Sequence, residues 1–244
     1  MSVVTDCLDC PLRRKPLFVP LSKEEIAFMR RFKSGEIDVP QGQDVMSQGQ
    51  KSPVLQTVLS GMAVRSLLLE DGRRQVINFV FPGDLVGLHS GLMGEARHSI
   101  TAVTDMTLCT FPRGRIWNLF VKQPERAYDV TWMAAVEQHF LGETIATLGQ
   151  RDATERVAWA LVRIWRRLVA LGMERHGAVP FPFRQQDLAD ALGLSIVHTN
   201  RRIVALRQAK LAEISARRLV MHDHAGLSRL AHLDMDRDDV RPIL

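Results

Sequence analysis

The sequence predicts an α+β protein: an N-terminal antiparallel β-roll or jelly roll, then one long helix, then a C-terminal winged helix-turn-helix. Three observations carry that expectation. Glycines recur at Gly49, Gly61, Gly72 and Gly83, steps of 12, 11 and 11 residues, between short apolar segments. After Pro124 the apolar residues fall three or four apart without interruption. The basic excess is then confined to one stretch: residues 151–222 carry 13 basic and 6 acidic side chains, against 16 and 16 in residues 1–150 and 3 and 5 in residues 223–244. The +5 of the whole 244-residue chain therefore hides one strongly basic module, the composition suited to a polyanionic partner.

Each element has its own signal. Residues 1–20 form a cysteine-containing segment. Ser22-Lys-Glu-Glu25 is a capping-box pattern opening a short helix that ends near Lys33 and Gly35. Residues 21–123 form the roll domain, with strands expected at Val54–Leu59, Met62–Leu69 and Gln75–Phe81; Asp71-Gly72 is a hairpin turn signal, since a tight primed turn needs positive φ. Residues 124–150 form the rod. Its apolar positions Met133, Val136, Phe140, Thr144 and Leu148 make a stripe that reads either as packing on its own roll or as a dimer seam, and the seam is the expectation. Residues 151–230 are the basic module, opened by the cap Asp152-Ala-Thr-Glu155 and the apolar face Val157, Leu161, Ile164, Leu168 and Leu171. Residues 231–244 read as an acidic tail.

Within the basic module, Gln185–Leu192 and the segment after Ser195 are two helical patterns joined by Gly193-Leu194-Ser195, which is helix-turn-helix grammar. At 100° per residue, Thr199, Ile203 and Leu206 share one face of the second helix and Val197, Asn200 and Arg201 the opposite one, with Ile196 at its start. Arg201 can offer paired donors to guanine and Asn200 can pair with adenine or a phosphate, while Val197 suits a thymine methyl. Arg202, Arg207 and Lys210 are placed to neutralise phosphates. Leu211–Ile214 and Leu219–Met221 flank Ser215-Ala-Arg217-Arg218, the pattern of a hairpin wing with Arg217 and Arg218 near its tip.

Composition excludes several classes. With 46% hydrophobic and 24% charged residues the chain is globular. Its most apolar run, residues 157–171, is broken by Arg163, Arg166 and Arg167, so no membrane span is expected. Residues 1–15 have no apolar core behind a basic start, hence no secretory signal and an expected cytoplasmic location. Three cysteines are too few for a disulfide scaffold and are either inert or open to a metal or oxidant. His222 and His224 around Asp223 make too sparse a pattern for a metal site and read as surface.

The order of these parts, with Phe81-Pro-Gly-Asp84-Leu-Val-Gly87, Asp187-Leu-Ala-Asp-Ala-Leu-Gly193 and Asn200-Arg201, resembles the cyclic-AMP receptor/fumarate-nitrate regulator (Crp–Fnr) family, nearer its fumarate-nitrate branch. The resemblance covers nearly the whole chain. It implies a cyclic-nucleotide-binding-like roll that senses a signal, a homodimer, double-stranded promoter DNA as target and RNA polymerase as a further partner. Val197 stands where family members commonly place an acidic residue, so the preferred half-site should differ there.

Three signals are implied by the family, and the residues present weigh them differently. Cyclic AMP would need an Arg-Ser pair and a Glu where this chain has His98-Ser99 and Gly87-Leu88; Arg97 is adjacent but one residue out of phase on a strand, so cyclic AMP is not expected. Oxygen-sensing members bind a 4Fe–4S iron–sulfur cluster through four cysteines, of which Cys7, Cys10 and Cys109 match three; the remaining position is Pro16, so Asp6, Asp9, a histidine or an external ligand would have to complete the set. Both a cluster and an inert, degenerate site stay open. Haem would rest on His89 in Leu88-His89-Ser90-Gly91, with Gly87 in place of the preceding cysteine, and is not expected. No nucleophile–base pair or phosphate-cradling loop is present, so no catalysis is expected. The expectation is a sequence-specific DNA-binding transcription regulator; the alternatives are a regulatory ligand-binding subunit of an enzyme or transporter, or a constitutive regulator with a degenerate sensor.

Overall fold

Helix α1, Lys23–Phe32, begins where the capping box places it: Ser22 Oγ accepts from Glu25 N at 3.2 Å, and the Glu25 carboxylate accepts from Ser22 N at 2.7 Å. The structure, a computed structural model, describes residues 4–234 and 240–244. The roll follows as eight strands: β1 Gly35–Val39, β2 Asp44–Met46, β3 Val54–Ser60, β4 Ala63–Leu68, β5 Arg74–Val80, β6 Leu85–Val86, β7 Ser99–Ala102 and β8 Met106–Pro112. They pair antiparallel into two sheets ordered β1-β8-β3-β6 and β2-β7-β4-β5. Helix α2, Leu88–Met93, interrupts the roll between β6 and β7. The regular glycines mark corners. At Gly61, between β3 and β4, φ is +87° and a Cβ would lie 2.3 Å from the carbonyl oxygen of Asp105, so no other residue fits. Val58, Val80, Val86, Ile100 and Leu108 fill the space between the sheets.

Helix α3, Ile116–Lys122, leads into the rod, α4, Pro124–Gln150, which starts with proline at its first position and runs 27 residues. Helix α5, Ala153–Ala170, is capped by Asp152, whose carboxylate accepts from Thr154 N at 2.6 Å and Glu155 N at 3.0 Å. Its expected face is buried, with Val157, Leu161, Ile164, Leu168 and Leu171 all under 4% exposed. The segment 177–182 that follows, with Gly177, Pro180 and Pro182, carries β9, Ala178–Pro180, the third strand of the wing sheet. Helices α6, Gln185–Leu192, and α7, Ile196–Gln208, precede the wing strands β10, Ala212–Ser215, and β11, Arg218–Met221, and α8, His224–Leu230, follows.

The basic module and the roll share one continuous core. Phe79 and Phe81 of the roll meet Phe183 at ring-centroid distances of 4.6 and 6.0 Å, edge to face. Polar contacts reinforce the seam. Arg74 on β5 donates to Asp187 at 2.6 Å and Asp190 at 2.7 Å on α6, and Lys15 Nζ donates to the Leu171 carbonyl at 2.6 Å. Asp84 of the Phe81-Pro-Gly-Asp84 motif accepts from Phe81 N at 2.9 Å and from Arg167 on α5 at 2.7 Å.

The end of the chain differs from a free acidic tail. Asp236, Asp238 and Asp239 lie outside the described residues, but residues 240–244 return to the sensor side. Arg241 exchanges backbone hydrogen bonds with Leu17 and Val19 at 2.7 and 2.9 Å, and the Leu244 carbonyl accepts from Thr57 Oγ1 at 3.0 Å. Ile243 and Leu244 are buried, and covering two apolar side chains favours this docking.

Candidate nucleic-acid interface and the sites beside it

Gly193 ends α6 in the left-handed conformation, φ +63°, and Ser195 Oγ accepts from His198 N at 3.2 Å to start α7. The turn thus fixes the angle between the two helices, and α7 packs with Thr199, Ile203 and Leu206 buried. Its opposite face is open: Ile196 is 44% and Val197 59% exposed, and Asn200 and Arg201 are exposed. Gln185 Nε2 donates to Asn200 Oδ1 at 3.3 Å, which orients the amide, while Arg201 has no hydrogen-bond or ionic partner among the described residues. An exposed guanidinium beside an oriented amide on an open helix face is the arrangement that can read base edges.

The remaining basic residues divide. Arg207 and Lys210 are exposed at the end of α7, as the helical wheel places them. Arg202 is half-buried, its Nη1 3.5 Å from Thr154 Oγ1, so it is turned to the start of α5 rather than outward. The wing tip is the two-residue turn Ala216-Arg217, both with positive φ, +47° and +59°, which matches the twist of the strands it joins. Arg217 stands at that tip. Arg218 already belongs to β11, and its guanidinium donates to the Arg175 carbonyl at 2.6 Å, at the base of the wing.

The rod turns the expected stripe toward its own chain. Met133 is 8% exposed in the roll core, Phe140 stacks on Trp159 of α5 at 5.9 Å, and Val136, Thr144 and Leu148 are half-buried on the same side. Met133 and Phe140 therefore pack within the chain, while Val136, Thr144 and Leu148 are covered only in part. Tyr128, Leu141 and Ile145 are 69%, 37% and 71% exposed; Leu141 and Ile145 share a face with Leu148, and Tyr128 points to another side. A stripe of period 3.6 is the same whichever partner covers it.

Where the roll, the rod and the basic module meet lies a cavity of about 160 Å³. Arg65, Phe79 and Phe81 line it from the roll, Met133, Glu137 and Phe140 from the rod, Trp159 and Arg163 from α5, and Leu192 from α6. Arg65 is 5% exposed and forms an ion pair with Glu137, and burial lowers its pKa to about 10. Arg163 lies over the Phe140 ring at 4.9 Å and pairs with Glu143. The sequence pattern does not single out Arg65, Glu137 or Trp159; the one signal is an arginine within the mostly apolar strand Ala63–Leu68.

The position that the family resemblance assigns to the phosphate-binding arginine holds a histidine. His98 is buried, its ring packed edge to face on His89 at 5.5 Å, and burial, with Arg65 and His89 nearby, pushes its pKa down to about 3. A neutral imidazole replaces the guanidinium a phosphate would use. Arg97 is exposed and pairs with Glu95 at 3.0 Å; it lies in the bend before β7 rather than on a strand.

Cys7, Cys10 and Cys109 converge on one small pocket of about 40 Å³, together with Met29, Lys33, Phe111 and the returning Ile243 and Leu244. Burial raises the pKa of Cys7 and pushes that of Cys109 up to about 11, leaving thiols rather than thiolates at neutral pH. Cys109 lies opposite Glu36, Sγ to Oε1 3.8 Å, and Glu36 is already held by Lys33 at 2.6 Å and by Thr5 N at 3.0 Å. No group of three or more His, Cys, Asp or Glu among the described residues is arranged to hold a metal. The space admits about one water molecule, and a four-iron cluster does not fit between these side chains as folded.

Comparison with known proteins agrees with this geometry. A family model described as cyclic nucleotide-binding domain matches residues 36–123, and one described as Crp-like helix-turn-helix domain matches residues 155–230. The chain is 30% identical over 239 residues to the transcriptional activator protein FnrL of Cereibacter sphaeroides, covering 96% of this chain and 95% of that one. It is 29% identical over 225 residues to the nitrogen fixation regulation protein FixK of Bradyrhizobium diazoefficiens, covering 92% and 90%. The solved structure of FixK2 from Bradyrhizobium japonicum superposes with a TM-score of 0.71 at 25% identity, over 83% of this chain and 98% of that one. A roll, a rod and a winged helix-turn-helix with an open recognition face, matched along almost their full length by regulators of one kind, establish that the chain is a DNA-binding transcription regulator of the Crp–Fnr family.

Proposed function

We propose that the protein acts as a homodimer that reads a two-fold-related promoter site with α7, under the control of a signal received at the roll. The observation that carries this reading is the division of α7 into a buried face, Thr199, Ile203 and Leu206, and an open one, Ile196, Val197, Asn200 and Arg201. On this reading Arg201 and Asn200 choose bases, Ile196 and Val197 contact a methyl group or sugar edge, and Arg207, Lys210 and Arg217 hold phosphates. Arg202 and Arg218 serve the protein's own scaffold. On this reading residues 1–20 hold the cysteine corner, 21–123 are the sensor, 124–150 the dimerisation rod and 151–230 the reader, with 240–244 returning to the sensor.

The dimer seam is proposed on Leu141 and Ile145, apolar residues four apart that the rod leaves uncovered, continued by the half-buried Leu148. A two-fold pair of α7 helices then meets successive major grooves, and RNA polymerase is recruited beside them in the cytoplasm. No catalytic role enters this reading. The cysteine corner is a packed thiol corner rather than a cluster site, so the signal is sought elsewhere in the sensor.

Selection from a random duplex library should return one enriched, two-fold-related site. Arg201→Ala should then cost about 1–3 kcal/mol on that site and less on random DNA. Equal losses on both sequences would remove Arg201 from base reading.

A further inference from the structure

We propose that residues 240–244 are a strap that fixes the reader to the sensor, so that in a dimer the two α7 helices are held at the spacing of a two-fold-related site. The inference rests on the reading of the protein as a two-fold DNA reader and adds the part that sets the reader's position. The strap's root and its seat lie on opposite sides of the joint between rod and reader. The root is the end of α8: Ala231 is 0% exposed in the reader's core, and Arg151, the residue after the rod, donates to the carbonyls of Ala231 at 3.2 Å and His232 at 3.4 Å.

The seat belongs to the sensor side and is made of several independent contacts. Arg241 N donates to the Leu17 carbonyl at 2.7 Å and the Arg241 carbonyl accepts from Val19 N at 2.9 Å, a parallel bridge beside Phe18. The Arg241 guanidinium lies 3.8 Å from Asp84. Thr57 on β3, 2% exposed, donates through Oγ1 to the Leu244 carbonyl at 3.0 Å. The two apolar side chains enter different cores: Ile243 the one shared by roll and reader, Leu244 the one that α1 makes with Phe111 and the start of the rod. Unseating the strap exposes both side chains and takes the acceptor from a buried hydroxyl, so the seat favours this one segment in this one register.

The reach of the strap gives it its role. From residue 234 to residue 240 there are six Cα steps, which covalent geometry limits to about 20 Å. A reader that swings farther from the sensor must pull Ile243 and Leu244 out. The seated strap leaves the reading face alone, with Ile196, Val197, Asn200 and Arg201 all exposed, so it does not mask DNA contacts. It restricts the reader to positions near the docked one, and this lowers the entropy cost of engaging the second half-site once the first is bound. A single half-site is unaffected, because one reader meets it equally well from any position.

The test compares the full-length protein with a variant ending at residue 234, with Ile243→Asp/Leu244→Asp, and with Thr57→Val, which keeps the shape of the seat and removes its donor. Hydrogen exchange reads the seat. The Val19 amide should be protected in the wild type and exchange at least about tenfold faster in the first two variants, and exchange across residues 184–192 should rise with it. Affinity is measured at one ionic strength for the selected two-fold duplex and for the same duplex with one half scrambled. The first two variants should bind the two-fold duplex about tenfold more weakly and Thr57→Val about threefold, with the scrambled duplex within about twofold of the wild type in all three. Thr57→Val serves if the other two do not fold. A freely exchanging Val19 amide in the wild type would overturn the strap, as would an equal loss on both duplexes. If the wild type prefers the two-fold duplex and the variants bind it as well or better, the strap falls and the two-fold reading stands. If the wild type shows no such preference while exchange over 184–192 rises in the variants, the two-fold reading falls and the strap stands as the tie between reader and sensor.

Discussion

The proposed seam on the rod can be tested by placing a charge in it. Ile145 lies between Leu141 and Leu148 on one face of the rod and is 71% exposed in the single chain. Fully covering an isoleucine is worth about 1.5–3 kcal/mol, so covering the exposed fraction contributes about 1–2 kcal/mol per copy. A two-fold contact uses the same patch on both protomers and counts it twice. Ile145→Ala should therefore weaken the dimer by about 2–4 kcal/mol, roughly 30- to 1,000-fold in Kd, and Ile145→Asp by more, because a carboxylate would be desolvated against its own copy. Sedimentation equilibrium across a concentration series reads the constant directly. Met133→Ala is the matching control: its side chain is 8% exposed in the chain's own core, so it should cost folding stability, about 2–5 kcal/mol, with the dimer constant unchanged. An Ile145→Asp protein that remains dimeric with an unaltered constant would refute the assignment of faces. So would a folded Met133→Ala protein that dissociates.

Three further outcomes follow from measured contacts. Asp187, 0% exposed, accepts from Arg184 N at 2.9 Å and from Arg74 at 2.6 Å; Asp187→Ala should destabilise the reader by about 3–5 kcal/mol, and a double-mutant cycle with Arg74→Ala should show coupling above about 1 kcal/mol, with additive losses counting against the latch. Burial holds the His98 pKa down at about 3 against 6.5 in the unfolded chain, so below pH 6.5 the unfolded state binds the extra proton; stability should fall as pH drops from 6.5 toward 3, by up to about 1.4 kcal/mol per pH unit, and His98→Gln should flatten the curve between about pH 6.5 and 5, above the carboxylate range. With the Cys109 thiol pushed up to about 11 by burial, alkylation at neutral pH should be slow until the chain is unfolded. Anaerobic reconstitution with iron and sulfide should leave sub-stoichiometric iron; a stoichiometric iron–sulfur chromophore would overturn the packed-thiol account of this corner.

What could be read from the sequence was what depends on neighbours in the chain. The caps at Ser22, Asp152 and Ser195, the Asp71-Gly72 hairpin and the left-handed Gly193 are decisions made within a few residues, and all occur where the pattern places them. The two faces of α7 follow from helix geometry alone, so Thr199 and Arg201 could be assigned before any partner was known. The rod is the counter-example: periodicity locates a stripe but not what lies against it, and Phe140 faces Trp159, which is only 19 residues away in the chain but on a different helix. Arg202 and Arg218 show the same limit, since local chemistry does not foresee the hydroxyl 3.5 Å from one guanidinium or the carbonyl 2.6 Å from the other. The cavity was illegible for the same reason, because Arg65 and Trp159, which line it, stand 94 positions apart.

The contacts between sensor and reader bear on how a signal could reach DNA. A rod joined to the reader only through Arg151 and Asp152 would let the reader pivot, and the rod alone would have to carry any change. Here the reader is gripped at further points. Arg74 holds α6, Asp84 holds Arg167 on α5, Phe183 fits against Phe79 and Phe81, and residues 240–244 tie the chain beyond α8 back to Leu17 and Thr57. Helix α6 is the common element, since it packs on β5 with one side and on α7 with another. Packed interfaces of this kind are bistable rather than continuously deformable. A shift at the β4–β5 hairpin must therefore either leave α7 where it is or release α6 altogether, and the carboxylates of Asp187 and Asp190 set how much free energy separates the two. The hairpin, by this physics, governs the reader at least as directly as the rod does.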